Sequence, residues 1–251
     1  MVSCAIMQPT YNPWLGYFDL MDKVDLFIYL DNVQLVKRSW QVRNRIKTIQ
    51  GEFFLSIPIK KTKKRAETLI KDALINDLEN WRKRHLKTIE FNYKKAKCFK
   101  TVFPFIKELI YSECSFLGDF NINVIEEVKK AIGISTFTVR SSELPVKGKK
   151  DVLLVNICKC VGADMYVSPQ GSAVYIEKEN PGGAFVREGI KLYYHNYEHP
   201  TYKQLYGQFM PYMGIFDLLL NEGFERALNI IRSGRRDDIF YLNFRKIFRG
   251  R

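Results

Sequence analysis

Two short apolar runs bracket a helical segment near the N-terminus, and this arrangement limits the possible folds more than any other feature. Val2 to Met7 (VSCAIM) is apolar almost end to end, and Asp25 to Asp31 (DLFIYLD) is apolar along most of its length. A strand with one wet face alternates apolar and polar residues; a continuously apolar strand is covered on both faces, as in a parallel sheet between helix layers. Between them, Gln8 to Pro13 forms a turn with two prolines, Asn12 can cap a helix, and Trp14 to Met21 has helical spacing. Strand, loop, helix, strand is a βαβ unit, and its right-handed crossover makes the two strands parallel neighbours.

The rest of the chain extends this pattern. Trp40–Thr48 and Glu52–Ile59 flank Gln50-Gly51 and read as a hairpin, with 68–75 continuing the strand-rich stretch. Leu78 to Ala96 is amphipathic, with Trp81, Leu86, Ile89 and Tyr93 on one stripe. Further helices are predicted over 103–111, 120–132 (closed by Gly133), 151–161 (ended by Gly162), 215–221 and 225–233, and strands over 136–140, 165–167 and 191–196. The expected fold is α/β: a mostly parallel sheet with flanking helices, a hairpin or mixed edge near residues 40–60, and a central helical block about 77–133 long enough to be a subdomain. No internal repeat or low-complexity linker is read, so a single domain over residues 1–251 is expected.

Hydrophobic residues make up 46% of the chain and aromatics 14%, ample for a core. No window approaches the ~18 apolar residues of a membrane span, and no basic region precedes the first apolar run, so a cytoplasmic protein is expected. Five cysteines fit a reducing compartment. Cys158-Lys159-Cys160 lacks a second pair, so no metal site is expected; Cys158 should lie inward on a helix with Cys160 packed beside it. The +13 net charge gathers at 60–65, 147–150 and 232–251. No zinc finger, helix-turn-helix or RNA-binding signature accompanies these clusters, so nucleic acid is not the expected partner. A basic surface equally suits nucleotide sugars, other anionic small molecules or a carrier protein.

Open α/β folds bind ligands at strand ends, and four polar clusters follow predicted strands. The first holds Gln8, Tyr11, Asn12, Trp14 and Tyr17, candidate substrate contacts whose aromatics would also serve simply to pack the loop. In the second, Lys37 to Arg45 (KRSWQVRNR), alternation puts Lys37, Ser39, Gln41, Arg43 and Arg45 on one face. Arginine forks suit phosphate or carboxylate, making Lys37, Ser39, Arg43, Asn44 and Arg45 candidates, although a solvated edge strand alternates in the same way. The third, Ser168-Pro169-Gln170-Gly171-Ser172, offers Ser168, Gly171 and Ser172 as an anion cradle at a helix start or as an ordinary turn. The fourth runs from His199 to Gln208 and adds Gln204. Of the three histidines, His85 is expected at the surface of a charged helix and His195 as a structural strand residue. His199, on an extended loop, is the best general base. Its acid partner would be Asp31, Asp217 or Glu198, with Asp31 taken as the other member of the catalytic pair.

In this order and spacing, AIMQPTYNPWLGYFDLMDKVDLFIYLDNVQ, VKRSWQVRNRIKT, ICKCVGADMYVSPQGSAVYI and YKQLYGQFMPYMGIFDLLLNEG resemble the WbqC-like protein family of bacterial O-antigen and other surface-polysaccharide gene clusters. The resemblance spans essentially the whole chain. It implies an α/β fold and a cytosolic enzyme that tailors a glycan precursor, adding an acyl or aminoacyl group to the amine of a nucleotide-linked amino sugar. The first loop also resembles that of HIGH-superfamily nucleotidyltransferases, but Trp14 and Tyr17 stand where that signature has histidines, so adenylyl transfer is not expected.

In this reading His199 takes a proton from the sugar amine, Lys37, Arg43 and Arg45 hold phosphates, and Trp14 or Tyr17 stacks on a ring. The donor would be an acyl thioester of coenzyme A or an acyl carrier protein. Two other readings stand beside it: covalent catalysis by Cys4 or Cys158, and a non-enzymatic module that binds an anionic nucleotide, carrier protein or nucleic acid through its basic surface.

Overall fold

The structure, a computed structural model, describes residues 1–61 and 67–249. Thr62 to Arg65 of the first basic cluster, and the last residues of the basic tail, lie outside the described residues. The strands are β1 (Ser3–Met7), β2 (Leu26–Tyr29), β3 (Arg43–Thr48), β4 (Gly51–Ser56), β5 (Phe137–Arg140), β6 (Met165–Ser168), β7 (Lys191–Tyr194) and β8 (Ile239–Phe240). Six of them form one sheet in the order β5-β2-β1-β6-β7-β8, parallel except for the β7–β8 pair. The βαβ start is therefore as expected: β1 and β2 pair in parallel across helix α1 (Leu15–Asp22).

The hairpin does form, with Arg43 opposite Ser56 and Thr48 opposite Gly51, but it makes its own two-stranded sheet and is not an edge of the main one. The antiparallel edge comes instead from β8, a two-residue strand too short to register as a pattern.

Alternation along β1 explains its apolar run. Ala5 faces a cluster shared with α1, α2 (Trp81–Tyr93), α3 (Phe99–Ile110), α4 (Leu117–Ala131), α8 (Ile215–Glu222) and α9 (Phe224–Ser233). Cys4 and Ile6 face the opposite cluster, covered by α5 (Lys150–Cys160), α6 (Ala173–Ile176), α7 (Gly183–Arg187) and α10 (Tyr241–Arg249). The helical block thus shares one apolar cluster with α1 and α8. Each fully buried large side chain contributes about 1.5–3 kcal/mol.

Several boundaries have local causes. Gly133, at φ +85°, ends α4 in a Schellman turn: its N–H reaches the Lys130 carbonyl and that of Ile134 reaches Lys129. Helix α3 begins four residues before the expected 103 and carries Pro104 in its interior. Cys158 is buried, with its Sγ 3.5 Å from that of Cys4, whereas Cys160 is exposed and does not pack beside it. Residues two apart on a helix point in nearly opposite directions, so both could not face inward.

The chain winds from β1 outward to β2 and β5 with its helices on one face. It then crosses with α5 to the other face and returns to β6, on the far side of β1. Strand order reverses between β1 and β6, and the crevice beyond their carboxyl ends is where such sheets bind ligands.

Candidate functional site

The loop leaving β1 is built to hold Trp14 in place. Asn12 adopts φ 44°, and its Oδ1 accepts the Phe216 N–H at 3.0 Å, capping α8. Trp14 makes an isolated antiparallel bridge with Gly214, and the Ile215 N–H bonds the Pro13 carbonyl at 2.8 Å. The indole folds back over Gly16, where any Cβ would overlap it; likewise a Cβ at Gly214 would overlap the Asn12 amide. The hairpin braces the same loop: Asn44 Nδ2 donates to the carbonyls of Tyr11 (3.0 Å) and Asn12 (2.8 Å).

The bridged partner is a second copy of the same motif, contrary to the expectation of no internal repeat. Pro13-Trp14-Leu15-Gly16-Tyr17-Phe18-Asp19 matches Pro211-Tyr212-Met213-Gly214-Ile215-Phe216-Asp217 at proline, aromatic, glycine, phenylalanine and aspartate. Each copy enters an eight-residue helix, and each sends its aromatic side chain to one cavity of about 250 Å³. Trp14, Tyr17, Trp40 and Tyr212 make the aromatic walls, and Thr10, Asn44 and Arg45 supply polar groups. Trp14 and Tyr212 lie 5.5 Å apart between ring centres. The Arg45 guanidinium lies 5.4 Å over the Trp40 ring and donates to Glu52 Oε2 (2.9 Å) and the Tyr212 carbonyl (3.1 Å). Its Nε is buried without a partner among the described residues.

His199 stands behind Trp14, stacked on it at 6.3 Å with interplanar angle 16°, and meets the Tyr212 ring edge-on at 5.1 Å. Its Nδ1 lies 2.9 Å from the Pro200 carbonyl. A carbonyl only accepts, so Nδ1 carries the hydrogen and Nε2 of the neutral ring is a bare acceptor. That Nε2 is buried with no partner among the described residues. Burial pushes the ring's pKa below its ordinary value, partly offset by the bond to Pro200, which favours the neutral form.

Asp31, expected to pair with His199, is fully buried at the end of β2 and serves the turn after β5. Its oxygens accept from Ser141 Oγ (3.1 Å), the Ser142 N–H (3.0 Å) and Ser142 Oγ (2.7 Å). Of the alternative acids, Asp217 is fully buried among neutral donors: Tyr93 Oη (2.6 Å), Tyr202 Oη (2.7 Å) and Gln204 Nε2 (2.9 Å). Burial raises its pKa against the pull of those bonds. Glu198 pairs with Arg236 on the surface.

A carboxylate–histidine pair does occur, between residues that sequence reasoning did not join. His195, just past β7, places Nε2 2.8 Å from Asp19 Oδ2, and Arg235 Nε holds the other oxygen at 2.8 Å. Arg235 and Arg232 also grip Asp22. The His195 ring stacks on Tyr197 at 5.7 Å, and Tyr197 meets Trp14 edge-on at 5.6 Å.

The other candidates divide clearly. Gln8 accepts from Gln41 at the end of β1, and the Tyr17 hydroxyl donates to the Gln8 carbonyl. Tyr11 is in the core, its hydroxyl 3.1 Å from His85 Nδ1. His85 is not at the surface: it is 5% exposed, its Nε2 donates to the Ser56 carbonyl, and burial lowers its pKa to about 4. Ser39 bonds the Val36 carbonyl within its own turn, and Gln204 clasps Asp217 and Met210. Lys37 and Arg43 line a neighbouring groove. Ser168 is buried, Gly171 has open space around it, and Ser172 belongs to a 3₁₀ turn before the four-residue α6. So short a helix has little dipole to cradle an anion, and these three do not line the cavity.

Tyr212, Trp40, Thr10 and Met7 complete the walls and are not among the candidates that the sequence offers; the repeated spacing is the signal that points to Tyr212. Among the described residues no helix is long and apolar enough to cross a membrane.

No solved structure matches this chain. It is similar to the uncharacterized protein Rv1507c of Mycobacterium tuberculosis, 35% identical over 227 residues that cover 90% of this chain and 96% of that protein. Residues 8–228 match the WbqC-like protein family, from the Trp14 loop through both copies of the motif. The chain belongs to that family.

Proposed function

We propose that the protein is a transferase that places an acyl or aminoacyl group on the amine of a nucleotide-linked amino sugar. The observation that carries this reading is the aromatic cavity beyond β1, with Arg45 and Asn44 at its wall. Aromatic faces suit a sugar or base ring, and a guanidinium suits the phosphates attached to it. At about 250 Å³ the cavity holds one ring, so the remainder of such a ligand lies outside its mouth, past Arg45.

His199 is the base in this reading. Its Nε2 lacks a donor among the described residues, and a substrate amine N–H brought beside the Trp14 and Tyr212 rings would supply one. The amine nitrogen forms a bond to the thioester carbonyl carbon as the carbon–sulfur bond breaks. The proton lost by nitrogen passes through Nε2 to the departing thiolate, leaving an amide and a free thiol. The substrate class follows from the surface-polysaccharide setting that the resemblance to the WbqC-like family implies, and the match to that family spans residues 8–228.

The test is incubation with a panel of uridine and thymidine diphosphate amino sugars and acyl-coenzyme A donors, read by mass spectrometry. The expected result is an acyl mass gain on one sugar, lost in His199→Ala. No gain with any pair, together with no binding of any sugar nucleotide, overturns the reading. Salt-sensitive binding to a nucleic acid, in its place, would favour the non-enzymatic alternative.

A further inference from the structure

The hairpin carries a second recess beside the Trp14 cavity, lined by Arg43 where the cavity is lined by Arg45. This groove of about 360 Å³ has an aliphatic floor that includes Leu35, Val42, Ile57 and Ile59. Lys37, Arg38, Arg43 and Lys61 also line it, against one carboxylate, Glu79. Val36, also in its lining, is 57% exposed, an aliphatic side chain left uncovered beside four cations.

A ladder of planar groups joins the groove to the aromatic cavity. The Arg43 guanidinium lies 4.5 Å over Phe54, Phe54 lies 6.2 Å from Trp40, and Trp40 lies 5.4 Å under the Arg45 guanidinium. Arg43 and Arg45 are two apart on β3 and share one face. Arg45 and Trp40 line the cavity; Arg43 lines the groove. A guanidinium held over a ring by its carbon can still present N–H groups to an anion. Arg43 has no carboxylate partner among the described residues.

Aliphatic floor, cationic rim and a path to the cavity together describe a ligand with an apolar chain and phosphates. We infer that this groove is the subsite of the acyl donor, a phosphorylated acyl thioester whose chain lies on the Leu35–Ile57 floor and whose phosphates meet Lys37, Arg38 and Arg43. The thioester end is then directed along the ladder toward the ring bound at Trp14. Calling the occupant a donor rests on the transferase reading; its binding here rests on the groove alone.

The experiment is calorimetric titration of the full chain with octanoyl-coenzyme A, free coenzyme A and octanoate, with uridine diphosphate glucosamine titrated in parallel. Saturable binding of octanoyl-coenzyme A is expected, weakened about tenfold in Lys37→Ala/Arg43→Ala by the loss of charge-assisted bonds. Octanoate alone should bind far more weakly, and Val36→Asp should weaken the thioester more than free coenzyme A. Uridine diphosphate glucosamine should bind the double variant unchanged, so a defect there would implicate the cavity and its reading instead. No saturable binding of the thioester, equal affinity in the double variant, or capture by phosphatidylglycerol vesicles without binding to the soluble thioester overturns the assignment.

Discussion

The two Pro–aromatic–x–Gly–x–Phe–Asp segments share a pattern and an antiparallel bridge, yet their aspartates have opposite surroundings. Asp19 is buried against the Arg235 guanidinium on one oxygen and the His195 ring on the other. Asp217 is buried against neutral donors, two tyrosines and a glutamine. The helix that follows explains the split. It starts at Leu15 in the first copy and at Ile215, two motif positions later, in the second. Asp19 therefore lies two residues, about half a turn, deeper in its helix and reaches the residues past β7, while Asp217 turns toward α2 and the 202–210 loop. One motif thus supplies two aromatic walls to a cavity, and its aspartate is used once beside the sheet's carboxyl edge and once as a clasp.

The sharpest break of this comparison is Asp19→Ala against Asp217→Asn. The first leaves the buried His195 without its carboxylate and Arg235 with Asp22 alone, and should cost about 3 kcal/mol in urea unfolding. The second keeps one acceptor for the tyrosine hydroxyls and should cost about 1–2 kcal/mol. Equal losses would show that the two aspartates do the same job.

The core behind the first segment gives a pH signature opposite in sign to that of the second, where burial raises the Asp217 pKa and its contribution falls as pH rises. His85 has its folded pKa lowered to about 4 by burial against Tyr11, below the unfolded value of 6.5. Between those values the unfolded chain binds a proton that the folded chain does not, so stability falls as pH falls. The loss should approach about 3 kcal/mol by pH 4 and be complete only below it. Melting temperatures across pH 7 to 4 measure it, and His85→Gln should flatten the slope.

The histidines sharpen the comparison on the catalytic side. His199→Ala should lower turnover about a hundredfold with little change in stability. His195→Ala should instead destabilise the fold by uncovering Asp19, with a smaller effect on the turnover of folded protein. The reverse pattern in steady-state kinetics would move the base to His195. The smallest effect concerns the tie between segments: Asn12→Ala removes the α8 cap and should cost about 1 kcal/mol by chemical denaturation.

Much of the fold was readable because β1, β2 and β6 are apolar runs bounded by turns, and α4 and α5 end at glycines. β8 has only two residues, and α6 and α7 are helices of four and five, too little over one turn for a helical period to show. The site was readable in part. Trp14, Tyr17, Asn44 and Arg45 do meet, because the hairpin docks on the β1 loop through Asn44. Tyr11, Asn12 and Gln204 carry suitable chemistry but spend it on core and cap. Their partners lie 74, 204 and 13 residues away, and only the folded chain brings those together. His85 sits on the buried stripe beside Trp81, a position that its charged helix neighbours hide in the sequence.

The central claim is that the cavity between the two segments binds the ring of a nucleotide-linked amino sugar, and intrinsic fluorescence tests it most directly. Of the three tryptophans, Trp14 and Trp40 line the cavity and Trp81 is buried in the core. Titration with uridine or thymidine diphosphate amino sugars should give a saturable change in emission, reduced in Trp40→Phe and abolished with binding in Trp14→Ala. No saturable change with any of them, or an undiminished response in Trp14→Ala, would contradict the account.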